Sequence, residues 1–113
     1  MSKIISIEEK NSVLVISTEG YLNKDLATSV FDESLKYIEK GTRTILINLS
    51  NSNIVNSIGA SIIIELIEKL QEVNGSLSFC ELPSIIEKTF KIMGLTKYCD
   101  TFENQEAALE QLT

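Results

Sequence analysis

The sequence contains no histidine, and this absence narrows the chemistry that the chain can perform. Histidine is the side chain most often used as a general base near neutral pH, and it is the commonest ligand for transition metals. The remaining carboxylates are spread along predicted helix faces and do not have the spacing of a zinc or magnesium site. The sequence therefore offers no support for catalysis, and we predict neither a metal ion nor another cofactor.

Cysteine is scarce, and long apolar runs are lacking. Cys80 and Cys99 have no CxxC spacing and are flanked by apolar or strand-forming residues, so we expect reduced, partly buried thiols. Uninterrupted apolar runs are only a few residues long, whereas a membrane-spanning helix needs about 20. No signal peptide is recognisable. These features predict a cytoplasmic protein that does not enter a membrane.

Basic residues are outnumbered by acidic ones. Ten lysines and arginines accompany sixteen acidic residues, which gives a net charge of −6, and the basic residues are scattered. This balance argues against nucleic acid or an anionic membrane as the main partner, because both attract clustered positive charge. The length of 113 residues and the 43% apolar composition predict a single domain over residues 1–113, as a monomer or a weak dimer.

Strand patterns and helix patterns alternate along the chain. Apolar residues in alternating or continuous runs predict strands at residues 3–9, 13–22, 44–49, 76–82 and 98–102. Helical spacing, with capping residues at the ends, predicts helices at residues 24–40, 58–73, 83–93 and 103–112. We therefore expect an α/β fold. Its mixed sheet should have four or five strands, begin with an antiparallel hairpin, and carry about four helices mainly on one side.

The same periodicities predict which side chains form the core. In the first strand, Ile5 and Ile7 should share one face, since side chains two residues apart point the same way. In the helix over residues 58–73, Ile63 and Leu70 should face inward and Ile58 outward. The full predicted core comprises Val15, Phe31, Ile47, Ile63, Leu66, Leu70, Leu77 and Phe79.

The rest of the chain is organised around residues 48–70. A strand is predicted to end at Leu49, a polar loop of asparagines and serines to follow, and a helix to begin near Ser57. Backbone N–H groups at a helix start lack intrahelical partners and carry the positive end of the macrodipole. Ser57 can therefore cap the helix with its hydroxyl, and it lies where a negative group is stabilised. It is our leading candidate for a functional residue.

Ile58 is apolar on the predicted outer face of this helix, beside Ser61 and Glu65. One interpretation is that Ile58 packs against its own loop. The other is that it belongs to a surface that binds a partner.

The order of elements resembles the STAS domain, a family named for sulfate transporters and anti-sigma factor antagonists, over essentially the whole chain. The family signature Asp-Ser-Ser/Thr-Gly-Leu resembles Asn56-Ser57-Ile58-Gly59-Ala60. Other matching patterns are Gly20 with Leu22, Asn48-Leu49-Ser50, Asn74-Gly75 and Glu106-Ala107-Ala108-Leu109.

The resemblance implies a function. In stand-alone members, a serine kinase that is also the anti-sigma factor phosphorylates the signature serine, and a phosphatase reverses the modification. By resemblance, Ser57 is the phosphoacceptor, and the unphosphorylated protein binds the kinase. The partner contacts are then expected at Ser50, Asn51, Ser52, Asn53, Ile54, Asn56, Ile58, Gly59 and Ser61.

Several residues depart from the family pattern. Asn56 and Asn48 replace acids, Ile58 replaces a small hydroxyl residue, and Ala60 replaces leucine. A kinase that pairs a basic residue with the missing carboxylate at position 56 should bind this chain weakly.

Two hypotheses for the function stay open. The chain is a phosphorylation-controlled antagonist with its own partner, or it is a constitutive STAS scaffold or accessory subunit of a signalling or transport complex.

Overall fold

The computed structural model describes residues 2–113, which form one five-stranded sheet, four α-helices and a short 3-10 helix. The strands are β1 (Lys3–Lys10), β2 (Val13–Leu22), β3 (Thr44–Val55), β4 (Ser76–Cys80) and β5 (Asp100–Phe102). The helices are α1 (Lys24–Glu39), α2 (Ser57–Glu72), α3 (Ser84–Met93) and α4 (Gln105–Leu112), with the 3-10 helix at Leu95–Lys97.

The strands lie in the order β1-β2-β3-β4-β5. β1 is antiparallel to β2, and the three later pairs are parallel. Asn11 and Ser12, with φ of 51° and 70°, form the two-residue turn of the hairpin, because that turn type needs left-handed backbone at both positions. The mixed sheet with its antiparallel hairpin confirms the predicted fold class.

The two faces of the sheet have separate cores. The larger core lies between the sheet and helices α1, α2 and α3, and it includes Leu14, Ile16, Ile47, Phe79, Leu26, Ile63, Leu66 and Phe90. The smaller core lies under α4 and contains Val13, Val15, Leu46, Cys80 and Ala108. Successive strand residues point to opposite faces, so the continuous apolar start of β2 supplies both cores. Helices mainly on one side of the sheet are thus confirmed.

The predicted core set is confirmed with one exception. Ile63 and Leu70 are fully buried, so the predicted orientation of α2 is correct. Phe31 is only half-buried and packs at the margin of the larger core.

Strand β1 departs from simple alternation. A register shift between Ile4 and Ser6 interrupts its pairing with β2, and such a bulge changes which side chains share a face. Ile4 and Ile7 therefore pack against the larger core, while Ile5 is 40% exposed. The prediction that Ile5 and Ile7 share a face was wrong.

Most helix ends follow local sequence signals. The side chain of Asn23 accepts a hydrogen bond from the Leu26 N–H at 3.0 Å, and Gly41 beyond α1 has a φ of 113°. Pro83 is the N-cap of α3 and not its first residue, because the helix begins at Ser84. Asn104 caps α4, so that helix starts two residues later than predicted.

Both cysteines are free thiols, as predicted. Burial, helped by the negative charge of Glu81, raises the pKa of the Cys80 thiol to about 12. Burial, helped by Asp100, likewise raises the pKa of Cys99 to about 12. Since the thiolate is the nucleophilic form, these raised pKa values disfavour reaction of either thiol at neutral pH.

Candidate functional site

Strand β3 continues to Val55, so the segment predicted to be a polar loop is extended backbone. The prediction that the strand ends at Leu49 was wrong. β4 pairs with β3 only as far as Asn48, but β2 accompanies β3 up to the pairing of Leu22 with Val55. Pairing with β2 therefore holds this polar segment in the sheet.

Two register shifts displace β3 relative to β2. The partners change from Ser17 with Asn48 to Glu19 with Asn51 and then to Tyr21 with Ile54. Each shift sets one additional residue of β3 against β2, as β-bulges do. In the second half of β3 the buried residues are therefore every third one, Leu49, Ser52 and Val55, with exposed pairs between them.

A buried pair of hydroxyl groups joins β2 and β3 in the region of the register shifts. The Oγ1 atom of Thr18 and the Oγ atom of Ser52 are 2.7 Å apart, and these residues are 0% and 3% exposed. Each hydroxyl gives the other the hydrogen-bond partner that a buried polar group requires. Ser52 was predicted to contact a partner, but its burial gives it a supporting role within the sheet.

Asn56, and not Ser57, caps helix α2. The Oδ1 atom of Asn56 accepts a hydrogen bond from the Gly59 N–H at 2.7 Å, and the extended backbone of Asn56 is typical of an N-cap. Ser57 is consequently the first helical residue, and it is exposed. The prediction that Ser57 caps the helix was wrong, and its hydroxyl is not needed for that role.

Gly59 holds the first turn of α2 against the end of β2. A Cβ atom at this position would lie 2.3 Å from the carbonyl oxygen of Leu22, which is closer than real Cβ contacts come. The Asn56 N–H also donates to the same carbonyl at 3.4 Å. Gly59 is buried, so its role is to place Ser57, and it is not part of the exposed surface.

The remaining residues that were predicted to contact a partner are exposed and lie together on the surface. The exception is Asn56, the N-cap, which is half-buried. They are joined by Tyr21, which sequence reasoning missed because only the register with Ile54 shows where it lies. Ile54, Ile58 and Tyr21 are 42%, 54% and 38% exposed. We call the whole set the Ser57 surface: Tyr21, Ser50, Asn51, Asn53, Ile54, Ser57, Ile58 and Ser61.

Asn48 has a structural role away from the Ser57 surface. Its Nδ2 atom donates to the side-chain oxygens of Gln105 at 2.9 Å and Glu81 at 3.3 Å, and the Gln105 N–H donates to Glu81 at 3.1 Å. Its Oδ1 atom accepts from the Ser50 N–H at 2.9 Å. An aspartate here would place a second carboxylate beside Glu81, and two like charges at that distance repel. The amide therefore suits this chain at position 48.

The Ser57 surface offers hydroxyl, amide and apolar groups, which suit a contact with another protein.

Among residues 2–113, no cluster of three or more histidine, cysteine, aspartate or glutamate side chains could hold a metal ion. In the same described part of the chain, no helix has the length and apolar character needed to cross a membrane.

The family model of the STAS domain matches residues 5–108, and the chain belongs to this family. A curated relative is BtrV of Bordetella bronchiseptica, a candidate anti-sigma factor antagonist. It is 23% identical over 104 residues, which cover 92% of this chain and 90% of BtrV.

Solved structures share the fold. A candidate anti-sigma factor antagonist from Thermotoga maritima superposes with a TM-score of 0.86 at 15% identity, covering 94% of this chain and 92% of the other. The anti-sigma factor antagonist SpoIIAA in its unphosphorylated form gives 0.76 at 17% identity, with 95% and 96% covered. Phosphorylated SpoIIAA of Bacillus gives 0.75 at 19% identity, with 96% and 98% covered.

Proposed function

We propose that this chain is an anti-sigma factor antagonist controlled at Ser57. In this proposal, the unmodified protein binds an anti-sigma factor that is also a serine kinase, phosphorylation of Ser57 ends the binding, and a phosphatase restores it. The observation that carries the proposal is the exposed position of Ser57 at the first residue of α2. Membership of the STAS family and the names of BtrV and SpoIIAA support it.

The hydroxyl of Ser57 is accessible to a kinase, but its backbone is not a loose peptide. Asn56 makes the capping hydrogen bond, so modification of Ser57 leaves the cap in place. The segment before it is strand β3, held by β2. A kinase must therefore recognise the folded surface, and an isolated peptide with this sequence should be a poor substrate.

The switch acts on binding and leaves the fold intact. A phosphate adds about −1.5 to −2 charges, and the positive end of a helix dipole stabilises negative charge. A partner packed over Ser57 would instead have to dehydrate that anion, which costs more than an interface contact returns. SpoIIAA, whose structure is known in both phosphorylation states, resembles this chain equally in each, which agrees with a modification that preserves the fold.

The test is the intact mass of the protein purified from its own host, measured before and after phosphatase treatment. We expect one phosphate on part of the wild-type protein, removed by the phosphatase, and none on Ser57→Ala. Ser61→Ala is the matched control, because Ser61 is an exposed serine one turn further along α2 whose hydroxyl donates to the Ser57 carbonyl. Phosphate retained on Ser57→Ala, or absent from wild type under every growth condition, would contradict the proposal.

A constitutive STAS scaffold or accessory subunit is the second candidate. It is favoured by Asn56, which stands where phosphorylated family members carry aspartate. In that case wild type, Ser57→Ala and Ser57→Asp should copurify the same proteins in equal amounts. The antagonist hypothesis predicts instead that Ser57→Asp alone loses its partner.

A further inference from the structure

The chain has no charged side chain from Thr44 through Ile64, although ten basic and sixteen acidic residues occur elsewhere. This uncharged run covers all of β3 and the first half of α2. All of the Ser57 surface except Tyr21 comes from it. The Ser57 surface therefore has no charged side chain, in a protein of net charge −6.

Helix α2 also differs from the other three α-helices at its start. The first turns of α1, α3 and α4 contain Asp25, Glu87 and Glu106, whereas the first turn of α2 contains no acidic residue. An acid in the first turn stabilises a helix through the macrodipole. The helix that carries Ser57 lacks this stabilisation, and its second residue is the exposed Ile58.

Two acidic residues lie next to residues of the Ser57 surface. Glu19 of β2 pairs with Asn51 of β3, and Glu65 follows Ser61 by one turn of α2. At the centre, a partner would meet the methyl groups of Ile54 and Ile58. A lysine or arginine of the partner placed there would lose its hydration without gaining a counter-charge, which is unfavourable in a contact that excludes water.

We infer that the Ser57 surface binds an uncharged, apolar patch of its partner, and that Asn56 and Ile58 exclude partners presenting a basic side chain at that point. This inference rests on the proposed function, because the partner is the serine-kinase anti-sigma factor named there. It adds the chemistry of the partner's contact patch. Such specificity arises from a penalty on the wrong partner as well as from affinity for the right one.

The test compares opposite charges at one position. The probe is the purified serine-kinase anti-sigma factor of the same host, and its Kd is measured for the unmodified chain and for Ile58→Glu, Ile58→Arg and Ile58→Leu. We expect both charged variants to bind about tenfold more weakly or worse, to a similar extent, and Ile58→Leu to bind like wild type. Asn56→Asp keeps a capping side chain and should bind no more tightly than Asn56.

The outcomes separate the inference from the proposed function. If Ile58→Glu or Asn56→Asp binds more tightly while Ile58→Arg loses affinity, the partner patch is basic, and the inference falls although the antagonist function survives. If all variants bind like wild type, the contact lies elsewhere, and the inference is wrong. If the unmodified chain does not bind the kinase, the proposed function and the inference both fail.

A thermal melt of each variant controls for folding. If an Ile58 variant does not fold, the pair Ile54→Glu and Ile54→Arg replaces it.

Discussion

At each end of helix α2, a glycine lets the backbone pack closely against a neighbouring backbone carbonyl. At the amino end, a Cβ atom on Gly59 would lie 2.3 Å from the carbonyl oxygen of Leu22. At the carboxyl end, a Cβ atom on Gly75 would lie 2.5 Å from the carbonyl oxygen of Arg43. At either position, a residue with a Cβ atom would prevent this close approach of backbone to backbone.

The surfaces at the two ends differ. The carboxyl end exposes Glu68, Lys69 and Glu72, an ordinary solvated surface. The amino end exposes Ile58 beside Ser57 and has no charged side chain. Ile58 is 54% exposed and is not part of the buried core. A single exposed apolar side chain is ordinary, but the grouping of Ile58 with Ile54 and Tyr21 on one surface is typical of a binding site.

The largest expected effect is a loss of stability, and it should be similar for core residues toward either end of α2. Ile63→Ala and Leu70→Ala each remove a fully buried side chain, so each should lower the free energy of unfolding by about 2–5 kcal/mol. Urea denaturation of the two variants measures this. A clearly smaller loss for one of them would show that the ends are not equally packed.

The glycines should separate stability from binding. Gly59→Ala and Gly75→Ala each force a methyl group onto a backbone carbonyl, and each should cost about 1–3 kcal/mol of unfolding free energy. Only Gly59→Ala moves the turn that carries Ser57, so only this variant should also weaken partner binding, measured at a temperature where both are folded. Equal affinity for both variants would remove the functional distinction between the ends.

A charge placed at each end should have opposite consequences. Ser57→Asp adds a negative charge where the helix dipole favours it, so its Tm should stay within a few degrees of wild type. Its partner affinity should fall at least about tenfold, or about 1.4 kcal/mol. The matched variant Gln71→Asp adds the same charge at the exposed carboxyl end, where it should lower the Tm slightly and leave binding unchanged. Calorimetry on enzymatically phosphorylated protein extends the comparison, because aspartate mimics phosphate imperfectly.

The smallest expected effect concerns the register that brings Ile54 to the amino end of α2. Thr18→Val leaves the buried Ser52 hydroxyl without its partner and should cost about 1 kcal/mol. Adding Ser52→Ala removes the orphaned group, so the double variant should lose less than the two single losses added together. A double-mutant cycle from chemical denaturation measures the coupling. Strict additivity would show that the two hydroxyls do not act as a pair.

Features that depend on neighbouring residues were predictable from the sequence. The Asn23 cap, the stop at Gly41 and the inward face of α2 were all predictable, because caps and helical periodicity involve residues at most a few positions apart. The exposure of Ile58 followed from the same periodicity. Ser57 was singled out because an oxygen-bearing side chain at a helix start has a specific chemistry.

The assembly of the site depends on contacts between distant segments, which local sequence patterns do not predict. Thr18 and Ser52 are 34 positions apart in the chain, and their strands pair through two register shifts that leave a three-residue burial period in β3. No local pattern predicts such a strand, because alternation of two is the signal that sequence offers. The tertiary structure also placed Tyr21 beside Ile54 and buried Ser52, since strand pairing is a contact between distant segments whose register the whole sheet sets.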